Sequence, residues 1–486
     1  MNLDPAADST QAGQTIRRLV YDGLLEYSPK GELIPSLATS WQASPDGRVY
    51  TFKLRQGVMF HDGTIFDAAA AKYGLDRAIA VKGGPFAPAV GSVIESVTVV
   101  DSSTIRVTLK EPFGPFLSKM GAIWSRVFVC PQQARRAEVN GDMGANWLAD
   151  NMCGTGPYRF GAWVRETRVV LRQFRDYWGG WPLETPIQVV NFLIVSEPSS
   201  RRLMIERGDL DIAYLIPLQD LQALDKKPGV KVLAYSDQPL VQYYLWMLSG
   251  RPPLNNVKVR QAISYAISYD KIANNILSGF AKPARGPLPA GMWGFDPATP
   301  RYPRDLDKAR ALLREAGLSQ PTGITVRLMW FTGFEEQRLI AQQIQSDLAE
   351  IGITVQPLEA TSAVARQLRQ KLETAPEMSI FFTASEVDPD DYLYRFHSGQ
   401  IEPVGRNLGW YKNARVDQLL DQARALVDRR QRARVYSQVQ NLLVEDAATA
   451  YLFTMPTIII MRDNIAGFVY VPFYDIAFNA SGMSKK

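Results

Sequence analysis

The sequence predicts an α/β protein of more than one domain, on three observations. Residues 324–330 and 353–357 have the apolar, β-branched texture of strands and enclose a helical pattern over 335–350. A strand, a helix and a strand in that order form a βαβ unit, with parallel pairing and a right-handed crossover. Between Leu33 and about Phe160 the texture is instead that of antiparallel strands around one helix, a small α+β unit. Finally, 486 residues with 46% hydrophobic and 21% charged content exceed what one core organises and describe a well-folded soluble chain.

Taken in order, residues 1–14 are polar and turn-like, and Ile16, Leu19, Val20 and Leu24 have helical spacing over 15–25, ending near Gly23. After the Asp46-Gly47 turn, Tyr50, Phe52 and Leu54 alternate with Thr51, Lys53 and Arg55, as in a half-buried antiparallel strand. A helix follows over 66–80. Val97 and Val99 then face Ile105, Val107 and Leu109 across Asp101, Ser102 and Ser103, a hairpin pattern. Strands over 169–171 and 187–194 flank the turn DYWGGWP, a helix covers 198–207, and GDLDIAYL opens further strand texture that continues to Trp246.

Beyond Arg251, Pro252 and Pro253 the character changes. Val257, Val259, Ala262, Ile263, Ala266 and Ile267 predict one long amphipathic helix over 256–273, and a second helix begins at Asp305 and stops at Gly317. Helices over 414–427 and 431–447 and strand runs from Tyr451 complete the chain, with no internal repeat. The stretch 378–398, MSIFFTASEVDPDDYLYRFHS, holds the most pointed pattern: a buried strand over 379–382, then Thr383, Ala384 and Ser385, then Asp388, Pro389, Asp390 and Asp391. Short polar side chains there turn the chain, and the segment reads as the rim of a ligand site. The same residues also suit a surface loop in which Asp390 or Asp391 caps the helix at Leu393.

Composition removes several functional classes. The net charge of +5 is spread along the chain, and Arg429, Arg430, Arg432 and Arg434 fall in a helical segment as a solvated face, so no nucleic-acid partner is expected. No apolar stretch approaches the roughly 18 residues that cross a bilayer. Met1 starts no basic, apolar and small-residue leader, so the expectation is either a cytoplasmic protein or one whose leader has been removed. His61 and His397 are the only histidines and Cys130 and Cys153 the only cysteines, which excludes a C-x-x-C site and a multi-histidine cage; no metal and no cofactor is expected. The two cysteines are either buried thiols or one disulfide. G-x-S-x-G, H-E-x-x-H, Walker A and G-x-G-x-x-G signatures are absent, and in Gly154-Thr155-Gly156-Pro157 the proline removes a donor that a phosphate cradle needs. Catalysis has no support in the sequence, and the protein is not read as an enzyme.

The ordered words LDPAAD, YDGLLEYSPKGELIPSLATSW, DGRVYTFKLRQGVMFHDGT, GTGPYRFGAW, RDYWGG, RGDLDIAYL, NNVKVRQAISYAISYDKI, DLDKARALLREAGL, DPDDYLYRFHSG, WYKNARVDQLLDQA and IAGFVYVP cover nearly the whole chain. In this respect it resembles the large extracellular solute-binding proteins, family 5, of bacterial ABC importers for peptides, nickel and related solutes. The resemblance implies a two-lobed type II periplasmic binding protein. Lobe one would hold residues 1–33, 161–248 and 465–486, with an inserted small domain over 34–160, and lobe two residues 249–464. Hinge closure would trap a peptide or other small organic solute between lobes and deliver it to the permease subunits, the protein acting as a periplasmic or membrane-tethered monomer. A nickel-chelate receptor is the alternative within the family, and a hydrolase on this fold would lack a nucleophile and base.

The resemblance also nominates residues. In the dipeptide-binding branch an aspartate anchors the ligand ammonium three residues before the DPD word; Ser385 stands there, with Glu386 beside it as a substitute and Asp388 opening the word. Losing a charge-assisted bond weakens ordinary dipeptide capture. Arg338 matches an arginine that binds the ligand carboxylate. Trp330, Phe331, Phe334, Phe382 and Trp410, with Thr383, are candidates to line the site, and together they point to a solute with an aromatic or planar part and an acidic group.

Overall fold

The computed structural model describes the chain apart from residues 1, 9, 82, 237–240, 319–321, 385 and 475. Its contacts gather into two compact units, Met1–Ile216 with Ala223–Leu233 and Ile458–Lys486, and Pro217–Gln222 with Ala234–Thr457.

In the first unit the opening helix, Gln11–Val20, starts earlier than its apolar spacing predicts. Thr10 caps it, the hydroxyl accepting the Gly13 N–H at 3.1 Å. It ends before Asp22, whose buried carboxylate accepts the Trp178 indole N–H at 2.8 Å and the Thr155 hydroxyl at 3.0 Å and draws the chain off the helical path. The expected antiparallel strands form a four-stranded sheet in the order Ala38–Ala43, Val49–Leu54, Thr104–Leu109, Ile94–Asp101. Tyr50, Phe52, Ile105 and Val107 point from it into a core shared with Ala71, Leu75 and Ala78 of the helix Ala68–Ala80. Three more antiparallel strands, Tyr158–Val164, Arg168–Gln173 and Val189–Leu193, make a second sheet.

The GTGPY turn is a packing device. A Cβ at Gly156 would lie 2.6 Å from the Leu19 carbonyl oxygen, so only glycine lets the turn reach the end of the first helix. His61 staples the turn: its Nδ1 accepts the Gly154 N–H at 3.2 Å and its Nε2–H donates to the Gly156 carbonyl at 2.8 Å. Burial pushes this imidazole down to about 4, so it stays neutral. Cys130 and Cys153 are joined in a disulfide, and the Cys130 N–H also donates to the Cys153 carbonyl at 3.0 Å. From the far end of the sequence, the Tyr474 phenol accepts the Tyr27 N–H at 2.8 Å and donates to the Gly121 carbonyl at 3.0 Å.

The second unit is built on a six-stranded mixed sheet in the order Lys282–Pro283, Thr449–Met455, Val241–Met247, Met378–Thr383, Thr325–Phe331, Thr354–Ala360. The predicted βαβ unit is present, with Thr325 opposite Thr354 and Phe331 opposite Ala360 in parallel register. The strand Met378–Thr383 joins the parallel set, and Val241–Met247 runs against it with Gln242 opposite Thr383. Val326, Leu328 and Trp330 face the helices Val257–Ala266, Leu306–Glu315 and Glu335–Ala349 in one large core.

The long helix expected over 256–273 does not run through. It stops at Ala266; Ile267 is extended and Ser268 is also non-helical before a fresh turn at Tyr269–Lys271. The buried Asp347 carboxylate accepts both the N–H of Ser268, at 2.8 Å, and its hydroxyl, at 2.7 Å, and this competes with the helical bond. No helix among the described residues is long and apolar enough to cross a membrane.

The disulfide spans 23 positions. Replacing both cysteines, Cys130→Ser with Cys153→Ser, is expected to lower unfolding stability by about 3 kcal/mol. Denaturant titrations with and without reductant check this: reductant destabilises the natural chain and leaves the double variant unchanged.

Candidate functional site

Three parallel strands of the second unit, ending at Phe331, Ala360 and Thr383, finish on the same edge of the sheet. Such carboxyl ends, where chains turn out of the sheet with unspent backbone groups, are where open α/β sheets hold ligands. The antiparallel strand Val241–Met247 begins on this edge and brings Tyr243 to it.

Aromatic rings pave the edge. Phe382 stacks on Tyr243 with centroids 5.2 Å apart, Tyr243 on Phe453 at 4.6 Å, and Phe334 tilts against Phe382 at 5.7 Å. Phe331 meets Phe381 edge-on at 6.0 Å. Behind them the buried Gln337 ties the strand to the helix that follows, its Oε1 accepting the Phe331 N–H at 3.1 Å.

One carboxylate lies among these rings. Glu336, in the first turn of the helix Glu335–Ala349, accepts the Tyr243 phenol at 3.4 Å and has no cation partner among the described residues. Burial, with Glu335 next to it, raises its carboxyl above the usual 4.5. Arg338 is half-exposed on the same turn, and its guanidinium bonds Glu335 with Nε at 2.8 Å. The edge thus presents an aromatic wall, a desolvated acid and an accessible guanidinium.

Of the residues nominated by sequence, Phe334 and Phe382 touch each other, Phe331 packs instead with Phe381, Met329 and Ala365, and Thr383 and Arg338 belong to the strand and helix that meet at this edge. Trp330, 7% exposed, is buried in the same core cluster as Tyr243 and Phe453, which form the inner layer of this edge. Ser385 lies outside the described residues. Trp410 sits at the opposite end of the sheet, beside Gly250, whose added Cβ would come within 3.1 Å of it. The strand Val241–Met247 separates the two ends by about 20 Å at the usual rise per residue.

The acidic run is engaged in holding its own loop. Asp388 is fully buried and caps the helix Pro389–Leu393 in a reciprocal capping box with Asp391. Its two oxygens face the Arg432 guanidinium, Oδ2 at 3.1 Å from Nη1 and Oδ1 at 2.5 Å from Nη2. Asp390 pairs with Arg424 at 2.7 and 2.9 Å, and Glu386 with the buried Arg395 at 2.8 Å. Glu386 and Asp388, nominated to face solute, therefore face arginines. Sequence reasoning passed over Tyr243 and Glu336, since paired glutamates in a first helical turn also serve the helix dipole.

With this geometry in hand, comparison with known proteins decides the family. A model described as "Bacterial extracellular solute-binding proteins, family 5 Middle" matches residues 32–402. The chain belongs to this family. The family 5 protein described here is 32% identical over 488 residues to the probable D,D-dipeptide-binding periplasmic protein DdpA of Escherichia coli K12, covering 99% of this chain and 92% of that one. It is 31% identical to the glutathione-binding protein GsiB of Pectobacterium atrosepticum, over 97% of this chain and 90% of that one. Its structure superposes on the periplasmic binding protein DppA of Helicobacter pylori, solved with the peptide STSA, with TM-score 0.84 and 26% identity over 100% of this chain and 96% of that one. These relatives are binding proteins, and they place this solute-binding protein among the extracytoplasmic components of ABC importers.

Two outcomes are expected. Asp388→Asn leaves the Arg432 charge buried without its counter-charge and costs about 3–5 kcal/mol in denaturant unfolding. Glu336→Gln has the opposite sign. A carboxyl with a raised folded pKa favours the folded state only while protonated, so stability is lost as pH rises from about 4.5 through the folded value. Glu336→Gln therefore raises the melting temperature of solute-free protein at pH 7 and loses that advantage at pH 4; an equal shift at both pH values contradicts the assignment.

Proposed function

We propose that this family 5 protein is the receptor of an ABC importer for a peptide or peptide-like small organic solute that carries an ammonium group. It performs no chemistry on the solute and hands it to the permease subunits. The observation that supports this most is Glu336, a desolvated carboxylate set among the rings of Tyr243, Phe334 and Phe382 with no cation of its own. Carboxylate and aromatic faces together favour an organic ammonium over water. Arg338 offers the complementary anion contact on the same helical turn, and Phe331, Phe382 and Thr383 line the edge between strand ends. The names of the relatives, dipeptide-binding, glutathione-binding and peptide-bound, agree with a zwitterionic, peptide-like solute.

Glu386 is not part of this reading, because Arg395 already neutralises it. A chelated metal is disfavoured as direct cargo of histidine. His61 has both ring nitrogens bonded to the GTGPY turn, and His397 accepts the Gly399 N–H at 2.9 Å and lies 3.4 Å from Asp421.

Native mass spectrometry of the purified protein, followed by its denatured extract, identifies any retained solute. Calorimetric titration with dialanine and with its N-acetyl derivative then tests the recognition. Glu336→Gln is expected to weaken the free-amine form by about 1.5–3 kcal/mol, and Arg338→Ala to weaken a solute with a carboxylate by less, since Arg338 must leave Glu335 to bind it. Equal affinity for the free and acetylated amines removes Glu336 from the site, and a retained solute without nitrogen overturns the substrate class.

A further inference from the structure

A second recessed site lies in the same unit, away from the strand-end edge. It is a cavity of about 410 Å³ bounded by the turn after Ala266, the edge strand Lys282–Pro283, the loop at Arg301–Arg304 and the later turns of the helix Glu335–Ala349. That volume falls in the range of small-molecule sites. It shares a helix with Glu336, but the eleven positions to Asp347 put it about 16 Å further along the axis.

Its charges are unbalanced. Lys271, Arg285 and Arg301 line it without a carboxylate partner among the described residues. The Arg285 guanidinium uses Nη1 on the Thr299 carbonyl, at 3.0 Å, which fixes its position and leaves its remaining donors available. The acids around the cavity are largely committed. Glu350 pairs with Arg304 at 2.6 Å, and the buried Asp347 is turned into Ser268 and Gln343. Among the described residues that line the cavity, Asp270 alone remains as an exposed carboxylate against Lys271, Arg285 and Arg301. Repulsion among cations gathered around one concavity is relieved by an anion, and guanidinium forks suit carboxylate and phosphate oxygens.

Tyr451, from the strand Thr449–Met455, also borders the cavity, its ring packed against those of Tyr244 and Phe396 with centroids 6.1 and 6.4 Å apart. Tyr302 across the cavity is held in place, its phenol donating to the Val444 carbonyl at 2.7 Å. We infer that this cavity is a binding site, separate from the solute edge, for a small organic anion with at least two carboxylate or phosphate groups. Arg285, Arg301 and Lys271 would hold the charges.

Calorimetry with citrate and 2,3-bisphosphoglycerate, and with glycerol as the neutral control, tests this on the full chain at low salt. One of the anions is expected to bind with saturable 1:1 stoichiometry, glycerol not at all, and the affinity to fall as salt is raised. The double variant Arg285→Gln with Arg301→Gln should lose about tenfold or more in affinity, since each removes a charged hydrogen bond. Both arginines are exposed, so the double variant should keep its melting temperature and its dialanine titration. Wild-type affinity in the double variant overturns the site, as does the absence of saturable binding of either anion up to about 10 mM. Neither result touches the solute edge, which the dialanine titration reports separately.

Discussion

The second unit depends on a charge that cannot be left alone. Arg432 and Asp388 are both taken out of water, and an ion pair in that position survives only when its geometry and its remaining hydrogen bonds are good. Here the guanidinium meets the carboxylate through two nitrogens, donates to the Tyr436 phenol at 2.8 Å, and lies 5.0 Å from the Trp293 ring centroid. The carboxylate in turn caps the helix Pro389–Leu393. Asp390 with Arg424 and Glu386 with Arg395 repeat the device on either side. Three acids of one short turn are thus fastened to three arginines, which fixes where the strand Met378–Thr383 ends and therefore where Phe382 and Thr383 stand.

Against that rigid frame Glu336 is an exception. Glu386, Asp388 and Asp390 of the acidic turn each have an arginine, while Glu336 has a phenol at 3.4 Å and aromatic faces. A solute-free protein carries the cost of that desolvation, and a cationic solute removes it. Affinity then arises from relief of a penalty already present, in addition to new contacts. Arg338 differs: it is half-exposed and already engaged with Glu335, so its exchange of partner on binding an anion is closer to neutral.

Much of the fold was legible in the sequence because its periodicities are local. The βαβ unit, the Val97 to Leu109 hairpin and the helices of the second unit follow from spacing alone, and the structure has them. The long helix over 256–273 was misread because its interruption comes from Asp347, eighty positions away in rough terms, and no local pattern carries a distant carboxylate. The site was legible in part. Aromatic residues at strand ends identified Phe331, Phe334 and Phe382, and the resemblance supplied Arg338. Charge type without partners misled at Glu386 and Asp388, since the arginines that neutralise them lie on other elements, and Glu336 looked like an ordinary acid of a first helical turn. Trp410 shares the aromatic character of the others, but the direction of its strand neighbour puts it at the wrong end of the sheet.

Tyr474 closes the first unit from nearly the last turn of the chain. Its hydroxyl bonds Tyr27 and Gly121, and its ring lies 4.6 Å beneath the Arg18 guanidinium, so an early part of the unit is completed by a residue 447 positions after Tyr27. A chain emerging amino end first cannot make these contacts while the segment around Tyr474 is still within the ribosome or a translocation channel. The first unit is consequently completed only after the second unit's sequence has been delivered.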